Sequence, residues 1–129
     1  MLSHLRSLLP RLLFTCVFVA PGTWAQSSAW DGKWIAEGTL FQIGVTVSDG
    51  VMIIEQIESM GQEWTNEDGS ISGNTASVSV SYAGATGTIQ AELIGDGLAR
   101  VFAASCIPEF MVVCVLSKDR EAIFRKISD

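Results

Sequence analysis

The sequence predicts an all-β fold: a small antiparallel meander closed into an eight-stranded barrel or sandwich, with one disulfide. Three observations carry this expectation. Apolar and polar residues alternate with period two along most of the chain, the pattern of half-buried strands. Asp-Gly pairs recur at 31–32, 49–50, 68–69 and 96–97, and such pairs suit tight hairpins because glycine takes the positive φ these turns need. Two cysteines, Cys106 and Cys114, follow an N-terminal export signal, and an even count in an oxidising compartment reads as a disulfide.

Residues 1–25 carry the marks of that cleavable secretory signal. Arg6 and Arg11 give a positive start, Leu12–Ala20 is a short apolar run, and Thr23-Trp24-Ala25 places small residues for a cut after Ala25. The apolar run is too short for a membrane span, so no stable membrane insertion is expected after cleavage. The expected location is periplasmic or secreted. The remaining 26–129 is one β-barrel-like domain behind a short polar leader, Gln26–Ala29.

Strands are expected near 33–38, 41–48, 51–58, 62–66, 75–82, 86–93, 98–104, 111–117 and 121–127. Ala76, Val78, Val80 and Tyr82 share one face, with Ser77, Ser79 and Ser81 on the other. Phe41, Ile43, Val45 and Val47 form a second apolar face, and Ile89, Ala91 and Leu93 a third. No segment shows a useful helical stripe. So many short strands avoid exposed edges by closing, and the last strand is placed to pair with the first.

Composition excludes several function classes. All 14 acidic residues but only six of the eight basic ones follow position 25, which leaves a formal charge of −8. An acidic domain repels phosphate backbones, so no nucleic-acid partner is expected. The lone histidine, His4, leaves with the signal, and with it goes any imidazole-based nucleophile or zinc shell. No metal site, cofactor or enzymatic activity is expected. Glu55 is the strongest remaining acid: it shares a face with Val51, Ile53 and Ile57, and an inward face would make it an interior carboxylate able to act as a general acid. Asn66, Asp68 and Ser70 alternate as calcium ligands do, but the sixth position is Ile71, and a turn is the expected reading.

The run between the cysteines, Ile107-Pro-Glu-Phe-Met-Val-Val113, is unusually apolar. As a strand plus turn, it would bury Phe110 and Met111 in the core. If it protrudes, then Ile107, Glu109, Phe110 and Met111 form a rigid tip suited to binding a partner.

Gly32-Lys33-Trp34 resembles the G-x-W that opens the first strand of calycin barrels, a group that includes lipocalins, avidins and small periplasmic metalloprotease inhibitors. The resemblance covers two short segments. It implies that a basic residue on the last strand packs on Trp34, and Arg125 in Phe124-Arg125-Lys126 is the candidate. The chain departs from each group: it is shorter than a lipocalin, the avidin ligand residues have no counterpart, and the inhibitors place their cysteines elsewhere.

The leading functional expectation is a non-enzymatic exported binding module that docks on another protein, in the manner of an inhibitor. The alternative is a carrier of a small lipophilic ligand, with Trp34, Met52, Trp64, Tyr82 and Phe102 lining a barrel cavity. A carboxylate-based enzyme using Glu55 is third.

Overall fold

A computed structural model describes residues 28–129. The expected signal at 1–25, with its cut site, lies outside the described residues. Nine strands and one helix follow in order: β1 (Gly32–Ala36), β2 (Gln42–Ser48), β3 (Val51–Glu58), β4 (Trp64–Asn66), β5 (Gly69–Ser72), β6 (Thr75–Tyr82), β7 (Ala85–Gly95), β8 (Leu98–Ile107), α1 (Val112–Ser117) and β9 (Glu121–Ser128). All ladders are antiparallel. Eight strands close a barrel, in which β9 pairs with β1 and β6 with both β5 and β7. β4 is the extra strand. It lies along the second half of β6, while β5 lies along the first half.

This up-and-down order sorts the connections onto two ends. Connections 37–41, 59–63, 83–84 and 108–120 gather at one end, the mouth. Turns 49–50, 73–74 and 96–97 and the segment before β1 gather at the other, the floor.

Two of the four Asp-Gly pairs make hairpins. Asp49 and Gly50 take φ of 51° and 76° between the paired residues Ser48 and Val51, and Gly97 takes 63° between β7 and β8. The other two pairs do different work. The Asp31 carboxylate accepts from the amides of Ser28 at 2.8 Å and Val47 at 2.7 Å, which ties the chain entering β1 to β2. Gly69 is needed for close approach rather than for a turn: a Cβ there would stand 2.5 Å from Val78 Cγ2 and 2.8 Å from Ser77 O. At this crossing β5 meets β3 through only two residue pairs, Val51–Ser70 and Met52–Gly69.

The segment expected as a strand at 111–117 is instead the helix α1. Val115 and Lys118 donate their amides to the carbonyls of Met111 and Cys114 at 3.0 and 3.1 Å. A continuous apolar run does not distinguish strand from helix by period. Here β7 already pairs with β8 as far as Ile107, β9 takes the other side of β8 only from Leu98 to Phe102, and the run is left outside the sheet. Residues 69–72, not among the expected strands, form β5.

The floor is tryptophan-rich. Trp34 donates its indole N–H to the Trp30 carbonyl at 2.8 Å, and the two rings lie 6.2 Å apart. The cation over Trp34 is Lys126, not Arg125. Its ammonium stands 5.4 Å from the Trp34 ring and donates to the Ala29 carbonyl at 2.8 Å. Alternation is the reason: Phe124 points into the barrel, so Lys126 shares that face and Arg125 turns outward, where it is exposed.

Candidate functional site

The inward faces of the strands do not fill the barrel. They enclose a cavity of about 450 Å³. Eight-stranded barrels are often just filled by their own side chains, so the residue sizes need explaining. Ala76, Ala91 and Ala99 point inward where larger residues would meet, and Val78, Val80 and Val101 extend the small lining. Consequently no described hydrophobic side chain is less than 2% exposed, and Val78, Val80, Ile89 and Val101 remain half-buried although they face the interior.

Aromatic rings border this space at both ends. Trp30 and Trp34 form its floor. Nearer the mouth, Phe41 stacks 5.9 Å from Trp64 and meets Phe124 edge-on at 6.1 Å. Polar atoms concentrate at the mouth. Tyr82 donates its hydroxyl to Gln62 Oε1, and Trp64 donates its indole N–H to Ser59 Oγ at 3.0 Å. Beyond β5 no ladder joins β3 to β4. The Gln56 amide crosses this seam to the Trp64 carbonyl at 2.9 Å. A second, more polar hollow adjoins the mouth and shares Gln62, Trp64 and Tyr82 with the cavity. At the floor, the buried Trp30 indole nitrogen has no protein partner.

Of the five residues expected to line a cavity, Trp34, Met52, Trp64 and Tyr82 do so. Phe102 does not. It faces outward beneath the Arg100 guanidinium, 5.3 Å from its ring, because its neighbour Val101 takes the inward position. Glu55 is also outside. Met52 and Ile54 point inward, so Val51, Ile53, Glu55 and Ile57 form the solvent side of β3. Asn66, Asp68 and Ser70 straddle the β4–β5 junction. Among the described residues no three His, Cys, Asp or Glu side chains gather as metal ligands would.

Cys106 and Cys114 form a disulfide with their Cα atoms 5.4 Å apart. The segment it closes protrudes at the mouth end. Phe110 is 79% exposed, and Ile107, Glu109, Val112, Val115 and Leu116 are exposed with it. Met111 is half-buried, with its methyl against the 83–84 turn near Gly84. None of these residues lines the cavity. No described helix is long and apolar enough to cross a membrane.

The cavity depends on residues that alternation alone did not single out, namely the inward alanines. Their signal was present, since Ala76 and Ala91 sit on faces already recognised as apolar. Comparison with protein-family models, with curated proteins and with solved structures gives no match.

Proposed function

We propose that the protein binds a small lipophilic ligand inside its barrel. The observation that supports this reading is the cavity itself, about 450 Å³ and lined almost wholly by apolar side chains. Its size falls in the range of ligand pockets, which run from roughly 300 to 1,000 Å³. A space of this size suits a medium alkyl chain or a small fused ring system. Water in such a space finds few hydrogen-bonding partners, so an apolar ligand replaces it at a gain.

The test is titration with N-phenyl-1-naphthylamine, an uncharged probe that brightens in apolar surroundings. Trp30, Trp34 and Trp64 all border the cavity, so their emission reports the same event from the protein side. Saturable probe binding with coupled quenching of tryptophan is expected. A probe that stays dark at all protein concentrations sinks the proposal.

A second reading, docking on another protein, is favoured by a different observation: the exposed apolar surface of the disulfide-closed segment around Phe110. Native mass spectrometry of protein recovered from its own host would carry a second protein chain under this reading. That chain would be lost in the Phe110→Ser, Val112→Ser variant, whereas a small added mass favours the cavity.

A further inference from the structure

The polarity of the cavity is uneven, and that narrows the ligand. No Asp, Glu, Lys or Arg is among its lining residues. Within the barrel the indole N–H of Trp34 is spent on the Trp30 carbonyl, and that of Trp64 on Ser59. One unpartnered donor remains at the floor, the buried Trp30 indole N–H, which can meet only a polar atom at the far end of a ligand. Toward the mouth the remaining hydrogen-bonding groups are Gln62 and Tyr82, the one place where a donor and an acceptor stand together. Gln62 Oε1 accepts the Tyr82 hydroxyl, which leaves the Gln62 amide N–H as a donor and the Tyr82 oxygen as an acceptor.

Charge around the mouth points the same way. The connections and strand ends there carry Glu37, Glu58, Glu63, Glu109 and Asp119 against Lys118, Arg120 and, beside the 37–41 connection, Arg125, while Glu121 is paired with Arg100 at 3.1 Å. An anionic head would lose its water without gaining a cation at the cavity edge, and would face this negative rim. A cationic head would find no carboxylate among the lining residues.

We infer that the ligand is an amphiphile with an uncharged head bearing a carbonyl or hydroxyl oxygen, bonded by Gln62 and Tyr82 at the mouth while its apolar body fills the barrel. The inference rests on the cavity being a ligand site.

The experiment is displacement of N-phenyl-1-naphthylamine by four ligands with the same ten-carbon scale: decanamide, 1-decanol, decanoate and decyltrimethylammonium. The amide and the alcohol are expected to bind at least about tenfold more tightly than either ion, since desolvating an unpaired charge costs far more than desolvating a paired dipole. Gln62→Leu and Tyr82→Phe should each weaken decanamide on the order of fivefold, the effect of one lost neutral hydrogen bond. Direct titration of each variant with the naphthylamine gives the baseline, and the loss for decanamide should exceed any change in affinity for the probe. If decanoate or the cation binds as well as the amide, or if the two variants leave decanamide unaffected, the head-group inference is overturned while the cavity reading stands. If the naphthylamine itself fails to bind, both fall.

Discussion

Ala76 and Ala91 stand opposite each other across the β6–β7 ladder, both facing the barrel interior. Two methyl groups meet where a pair of leucines would close the space. Ala91→Leu should therefore enter open volume rather than a packed core. Overpacking a filled core costs about 1–3 kcal/mol, whereas filling a void commonly stabilises by roughly 0.5–2 kcal/mol. The expected outcome is a thermal midpoint equal to or above that of the parent, with binding of N-phenyl-1-naphthylamine weakened at least tenfold. A clear loss of stability would mean that the interior is filled in solution.

Gly69 and Val78 make the tightest approach at the junction where β5 leaves β3. A Cβ at 69 would press on Val78 Cγ2 at 2.5 Å and on the Ser77 carbonyl at 2.8 Å, and the carbonyl belongs to the ladder and cannot swing away. Gly69→Ala should cost about 1–3 kcal/mol by overpacking, measured by urea denaturation. Gly38→Ala is a poor control because of its φ of 78°. Ser70→Ala, exposed one residue on, is the better one and should stay within about 0.5 kcal/mol.

How far the sequence reveals this fold depends on local pattern. β3 and β6 coincide with the expected 51–58 and 75–82, because each alternates without interruption and is bounded by a turn. β5 escaped because four residues containing glycine and two serines look like the loop around them. The strand expected at 111–117 is the helix α1 because that apolar run has no period, and its fate is set by which strands β8 pairs with. The basic residue over Trp34 was expected, but its identity turned on facing. Phe124 pointing inward selects Lys126, and that follows only once the register with β1 is known. The faces that line the cavity were legible. Its volume was not, because volume depends on how eight faces meet across the interior.

Lys126 and Arg125 make a paired test of that facing. Lys126 lies over Trp34 and donates to the Ala29 carbonyl, whereas Arg125 is exposed on the outer surface. Lys126→Met keeps the apolar stem and removes the ammonium. It should cost about 0.5–2 kcal/mol from the cation–π contact, and it should shift tryptophan emission. Arg125→Met should change stability by less than about 0.5 kcal/mol. Equal effects from the two substitutions would contradict the register of β9 on β1.

The disulfide should separate stability from binding. It closes a short ring between the end of β8 and α1, and Cys114 is the buried residue of that helix. Loop-closure entropy puts its contribution on the order of 2–3 kcal/mol. A helix of six residues does not hold itself together in water, so α1 depends on this anchor and on Met111 against the 83–84 turn. The Cys106→Ala, Cys114→Ala variant should lose that amount of stability, and limited proteolysis should cut it first between 108 and 120. No residue of this segment borders the cavity, so affinity for the naphthylamine should hold within about twofold at temperatures where the barrel is folded. A binding loss that tracks the disulfide, with the barrel still folded by far-ultraviolet circular dichroism, would make the segment a cover of the mouth instead of an independent surface.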